Sequence, residues 1–396
     1  MKYLIPMLAF AAGLAFFAAR GAGTPAAMPV ARPVLTGTSA DIPTLQNAVR
    51  GGRGDLRPSL AEAYLQKARE TADPAFYAKA SGVLGRPHNE EGYATAGELA
   101  LAKHDFAGAL TLGRRAGAVG ATIRVDALVE LGRYEEATAE LQAMVDRKPN
   151  LSGYARVSYL RELHGDLTGA VEAMRLAVDA GGPAAENGAY VSALLGELDR
   201  RRGRRTAARR AFMRALAMVP NHAASIAGLA RLEGPRRAIA RLRPLVERLP
   251  LPEYVIALGE DELALGQDAS KTFALVGAEE RLLRAAGVDV DVELSLFEAD
   301  HGDPAKAVAL ARRGYENAPS IRAADALGWA LTQNGQDGRR YLREALRLGS
   351  VDPLWLAHYG LATGSRNALK SALEHGLRGY PWQARRVIRR LGRGAM

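Results

Sequence analysis

A pattern that returns about every 34 residues constrains this chain more than any other feature. It is clearest from Ala189 to His222, where Leu195-Gly196 is followed by Gly203, Ala208, Phe212, Ala215 and Pro220. These residues stand at positions 7, 8, 15, 20, 24, 27 and 32 of one unit. The spacing has a mechanical reading. Small residues at 8 and 20 let two antiparallel helices touch closely. The large residue at 24 fills the gap against the next unit. Glycine at 15 allows the tight turn between the helices, and proline at 32 stops the second helix.

The register recurs along the chain. From Gly54, Leu60-Ala61, Tyr64, Tyr77 and Ala80 fall at positions 7, 8, 11, 24 and 27. From Glu90, Gly97, Phe106, Ala109 and Ala116 fall at 8, 17, 20 and 27; from Ala118, Gly132, Tyr134, Ala137 and Pro149 fall at 15, 17, 20 and 32. Units around Gly165, Ala170 and Ala177, and around Leu294, Gly302, Ala307 and Pro319, continue the series. Three stretches, Ala223–Leu251, Glu253–Val288 and Ile321–Ser350, read as compressed units, and Leu354–Gly379 is shorter still.

This series resembles the tetratricopeptide (TPR) repeat. Phrases such as LPLPEYVIALGE, Leu249 to Glu260, look like those of exported bacterial TPR proteins of unassigned function. The resemblance implies an all-α fold, a right-handed superhelical solenoid of antiparallel helix pairs. Nine or ten repeats are expected over residues 42–380, with residues 381–396 forming a basic capping helix and tail.

Composition agrees with helices. The chain is 48% hydrophobic and only 6% aromatic, with Ala and Leu dominant and β-branched residues sparse. There is no cysteine, which excludes disulfides, thiolate nucleophiles and Cys-ligated metals. At the amino terminus, Tyr3 to Ala19 form an apolar run after Lys2, expected to be a signal peptide or signal anchor over residues 1–19. Residues 20–41, rich in Gly, Ala, Pro and Thr, read as a flexible linker. The expected location is therefore outside the cytoplasm, either free or anchored by the amino-terminal segment.

No catalytic constellation is legible. The chain lacks a phosphate-binding Gly-rich loop ending in Gly-Lys-Ser/Thr and a Gly-x-Ser-x-Gly elbow. No two of its seven histidines lie at i, i+3 or i+4, and they read as surface turn residues rather than metal ligands. Neither cofactor nor metal is expected, and the chain reads as a binding protein rather than an enzyme.

Two surfaces are candidates for binding. The TPR resemblance implies that position 9 faces a concave groove. That position holds Glu62, Glu98, Asp126, Tyr159, Glu197, Glu260 and Trp329, with Glu91, Glu130 and Asp300 at position 2 or 13. A ladder of partly exposed carboxylates would attract a basic peptide or protein. The alternative is that these acids pair with Arg or Lys one turn away on their own helices. The second surface is an Arg belt of Arg200, Arg201, Arg202, Arg204, Arg205, Arg209 and Arg210, followed one repeat later by Arg236, Arg237, Arg241 and Arg243. Between Arg200 and Arg248 the balance is +12, against +10 for the whole chain. This belt suits an anionic lipid surface, an envelope polymer or an acidic protein, or else serves only as a solvated helix face. Nucleic acid fits poorly with export, and no aromatics interleave with the arginines.

Overall fold

The computed structural model describes residues 38–181 and 185–392. The expected signal segment and the first part of the linker lie outside the described residues. Among the described residues there are 22 α-helices and no strand. They divide into two compact units, the first of residues 38–144 with 282–289, the second of residues 145–281 with 290–392.

In the first unit lie α1 (Thr38–Arg50), α2 (Arg57–Thr71), α3 (Ala75–Leu84), α4 (Glu90–Ala102), α5 (Phe106–Arg115) and α6 (Ala121–Glu130). Helix α7 (Tyr134–Arg147) closes that stretch of chain. In the second lie α8 (Leu151–Leu163), α9 (Leu167–Ala180), α10 (Ala185–Arg201), α11 (Arg205–Met218), α12 (Ala223–Arg231), α13 (Pro235–Arg248) and α14 (Pro252–Ala264). After α15 (Ser270–Ala285) come α16 (Asp291–His301), α17 (Pro304–Asn317), α18 (Ile321–Gln333), α19 (Arg339–Ala345), α20 (Pro353–Thr363), α21 (Arg366–Glu374) and α22 (Pro381–Gly392). Helix α1 starts inside the stretch expected to be linker through residue 41. Thr38 precedes Asp41 in a first turn whose acid suits the positive end of the helix dipole.

Consecutive helices pair as the repeat pattern requires. In the first unit α2 packs on α3 and α4 on α5; in the second α8 packs on α9, α10 on α11, α16 on α17 and α18 on α19. First helices of neighbouring repeats also touch, α2 with α4, α10 with α12, and α16 with α18 and α18 with α20. This double contact, within a pair and between first helices, is the stacking of a TPR-like solenoid.

The turns follow the expected chemistry. The position-15 glycines Gly132, Gly165, Gly203, Gly266 and Gly335 all have positive φ, between 72° and 77°, where a Cβ would be strained. His104 holds the same place with φ 62°. Gly302 departs from the pattern with φ −130°, and Asp303 caps α17 there by accepting from Ala305 N. Compression takes two forms. Helix α12 has nine residues against seventeen in α10, a shortened first helix, whereas in the Ile321 unit it is the second helix, α19, that shrinks to seven residues.

Phe212 explains the packing. A Cβ built on Gly196 would lie 2.6 Å from its ring, and one built on Gly228 would lie 2.3 Å away. The ring therefore fills space left open by position 8 of its own repeat and by Gly228 on the first helix of the next. Ala208 at position 20 is completely buried beside it. Phe273 and Gly259 repeat the contact in the compressed unit, at 2.3 Å. Replacing Ala208 with Leu should overpack this junction and cost about 1–3 kcal/mol, read as a lowered Tm in thermal denaturation. An unchanged Tm would place Ala208 away from the helix contact.

Candidate functional site

First helices of the second unit carry four of the position-9 side chains, Tyr159, Glu197, Glu260 and Trp329, and α22 lies against this unit. It touches α14, α20 and α21. Its sequence explains both its start and its orientation. Pro381 occupies the first position, where its missing N–H costs nothing. Gln383, Ala384 and Val387 form a buried stripe, while Arg385, Arg389 and Arg390 stay exposed. A basic helix was expected at these residues, but as an end cap. Its actual place on the first-helix face follows from side-chain partners far away in sequence.

Tyr380, just before α22, is fully buried. The guanidinium groups of Arg200 and Arg231 lie 5.1 and 5.5 Å from its ring centre. Arg200 donates to the Tyr380 hydroxyl at 3.2 Å and to the Gly376 carbonyl at 2.7 Å. Arg200 also grips Glu197 through Nη2 at 2.6 Å and Nε at 3.0 Å, and Arg231 stands 3.7 Å from the same carboxylate. Burial pushes the Glu197 carboxyl up, but Arg200 and Arg231 outweigh it and bring it down to about 2.

One turn further on, the Trp382 ring meets His301 at 5.0 Å, and His301 also contacts Phe273 at 4.6 Å. His301 Nε2 is 3.3 Å from Glu260 Oε1. Asp300 is the focus of the site. It accepts from Gln383 Nε2 at 2.5 Å, Arg386 Nη1 at 2.8 Å and Trp329 Nε1 at 3.1 Å. Arg386 reaches Gln333 Oε1 with its other nitrogen at 2.9 Å and stands 4.7 Å from the Trp329 ring centre. Trp329 also stacks on His358 at 4.2 Å, and His358 Nδ1 is 2.9 Å from Asp325. Arg385 donates to the Leu263 and Ala264 carbonyls at the end of α14, the negative end of that helix's dipole. A cavity of about 20 Å³ remains between Leu296, Phe297, Leu354, His358 and Gln383, so α22 fills the face closely.

The expected ladder of partly exposed carboxylates is not what the structure contains. Glu98, Asp126, Glu197 and Glu260 are buried; Glu62 and Tyr159 are half-buried, and Trp329 is 1% exposed. Close approach of the first helices is the reason. A Cβ on Gly97 would lie 3.0 Å from Ile123, so side chains beside it are enclosed. Glu62 accepts from Thr95 of the next first helix. Glu197 pairs with Arg200 on its own helix, whereas Asp300 pairs with Arg386 from elsewhere in the chain. The own-helix pairing thus holds for Glu197, while Asp300 is paired across the fold within the chain.

The Arg belt also needs correction. Arg200 and Arg201 are buried, held by Glu197 and Glu162. Their helix faces turn inward at the end of α10, so they belong to no surface. Arg202 is half-buried and donates to Thr168. Arg204, Arg205, Arg209, Arg210, Arg236 and Arg237 are exposed, and Arg241 is half-buried. The two clusters do meet: Arg209 and Arg241 converge on Glu233 at 3.6 and 2.7 Å. The Arg241 hydrogen bonds hold the Glu233 carboxyl below its usual range, against burial. The histidines divide likewise. His104 is a turn residue, but the His301 and His358 side chains are buried, at 4% and 3% exposure.

Sequence reasoning missed Tyr380, Gln383, Arg386 and Glu253. No local signal links the first three to α10 and α16. Glu253 lies in the first turn of α14 and is buried.

No family model matches the chain, and no curated protein matches it. The structure is similar to the APC/C hetero-tetramer Cut9-Hcn1, with 14% identity, a TM-score of 0.32, and coverage of 89% of this chain and 93% of that one. It is also similar to yeast Tom70, with 11% identity, a TM-score of 0.32, and coverage of 90% and 96%. Likeness at this level says nothing of what the chain binds.

Glu253 gives the site a pH dependence. Burial, with Glu293 nearby, pushes its carboxyl up to about 7 despite Arg231. Between about pH 4.5 and 7 the folded chain keeps a proton that the unfolded chain has lost. Stability from this group is therefore complete below about pH 4.5 and falls as pH rises to about 7. Glu253→Gln should remove that slope and stabilise the fold at pH 8 by roughly 2–3 kcal/mol. Denaturant titrations of both proteins at pH 5 and pH 8 measure the difference; equal slopes would show that Glu253 ionises freely.

Proposed function

We propose that this chain is a non-enzymatic helical-repeat scaffold, working outside the cytoplasm, that holds a partner protein by a basic segment on the first-helix face of its second unit. The observation that carries this reading is Asp300. It gathers Gln383 and Arg386 of α22 and Trp329 of α18 on one carboxylate, so the face has the donors and acceptors to hold a basic, aromatic helix. Aromatic and Arg side chains packed in such a setting are the usual anchors of an interface. The His358–Asp325 pair has the geometry of an acid–base dyad. Its His358 lines the cavity of about 20 Å³, which has no room for a substrate. Export is supported by the apolar run from Tyr3 to Ala19.

A second reading rests on the convergence of Arg209 and Arg241 on Glu233. Arg204, Arg205, Arg210, Arg236 and Arg237 are further exposed positive charges of the same two clusters. That surface suits an anionic lipid or envelope polymer.

Pull-down from a native extract tests both. The wild type and an Arg204→Gln, Arg209→Gln, Arg237→Gln triple variant should hold a protein prey through high salt, and Asp300→Asn should lose it. Asn retains an acceptor for Trp329, so the face keeps its shape. The opposite pattern, with salt-sensitive retention of the wild type alone on anionic vesicles, would overturn the scaffold reading in favour of the second.

A further inference from the structure

The helix that covers the face is attached in an unusual way for a permanent part of a core. Only three of its side chains, Gln383, Ala384 and Val387, are buried, and one of those is polar. Beside Ala384 and Val387, it is held by hydrogen bonds and an ion pair, from Gln383 and Arg386 to Asp300, from Arg386 to Gln333 and from Arg385 to the α14 carbonyls. Interfaces that must open are more polar than cores. The segment is joined to α21 through Gly376, which has φ 95°, and Gly379. Both glycines lie close against Arg200, where a Cβ would come within 2.9 Å of its guanidinium, so the segment is seated by glycine's close approach and by the Arg200 hydrogen bond to Gly376 O.

We infer that residues 380–387 are a ligand in cis. They are the chain's own example of the segment its first-helix face recognises, and a partner segment of the same chemistry must displace them. That chemistry is an aromatic residue and a Pro opening a helix, then Trp and Gln, then Arg three residues after the Gln. Tyr380 seats against Arg200 and Arg231, Trp382 against His301, and Gln383 and Arg386 share Asp300. The positive charge of α22 matches the carboxylates of this face, Glu197, Glu260 and Asp300. The resident segment lowers the fraction of chains able to bind, and so the apparent affinity for any partner. This inference rests on the reading above, that the face binds a basic segment.

The test uses the full chain and a labelled synthetic peptide of residues 379–392. A Gln383→Ala, Arg386→Ala double variant loosens the resident helix while the peptide keeps its own Gln and Arg. It should bind the peptide at least about tenfold more tightly than the wild type does, and adding Asp300→Asn should abolish that gain. Amides of α22 should exchange faster in the double variant while those of α10 and α18 keep their protection. Faster exchange of α22 without peptide binding would overturn the inference, making the helix a structural cover. So would loss of protection throughout α10 to α20. Concentration-dependent dimers of the wild type that the double variant does not form would overturn it in favour of a second copy's own segment as occupant. Failure of the scaffold reading has a separate sign: prey capture indifferent to Asp300→Asn, whatever the peptide does.

Discussion

Phe212 has room because two glycines withhold their Cβ atoms. Gly196 and Gly228 sit one repeat apart, and any side chain at either would collide with the ring. The ring in turn brings α10, α11 and α12 into one contact. Once first helices lie this close, their polar residues face one another rather than water. Glu197 at the next position after Gly196 is an example: it is 9% exposed because of where its neighbour sits. Close packing thus sets the electrostatic problem that the rest of the second unit resolves.

Buried carboxylates are costly unless they are paired and hydrogen-bonded. The chain meets this need by drawing arginines inward. Arg200 and Arg201 leave the basic belt to serve Glu197 and Glu162. The two acids are not treated alike. Glu197 has Arg200 and Arg231 and falls well below its usual range, whereas burial raises Glu162 despite Arg201, with Asp352 and Glu197 adding to the rise. Of the arginines left outside, Arg209 and Arg241 meet at Glu233, and Arg243 pairs with Glu262. The positive balance of this segment is therefore shared between an inner and an outer role.

Much of this was legible in the sequence, and the division is physical. Gly203, Gly266 and Gly335 take the left-handed turn that their place in the repeat requires, since the cause lies within a few residues. Ala208 is buried where position 20 demands. The helical nature of residues 381–392 was also readable, from Pro381 and the apolar spacing of Ala384 and Val387. Its destination was not. Arg386 and Asp300 are 86 residues apart, and Tyr380 and Arg200 are 180 apart, so no periodicity joins them. Exposure failed for a related reason. Position 9 faces the inner side in the repeat pattern, but whether that side is open depends on what else in the chain lies on it. His358 looked like a surface residue for want of a local partner; its partners are Asp325 and Trp329 on α18.

A face built to hold a basic segment cannot easily stand empty. Asp300 has only 10% of its side chain exposed, and it lies near the buried Glu260 across His301. Uncovering it would leave a poorly hydrated carboxylate facing others of the same sign, in a setting of low effective dielectric. The resident helix meets that cost with Gln383 and Arg386, and the cation over Trp329 adds an attraction that does not depend on the acid. On the function proposed above, a partner would gain only the difference between its contacts and those of α22. Weak or mismatched basic segments would then be excluded by competition rather than by shape. Selectivity of this kind comes from the occupant already present.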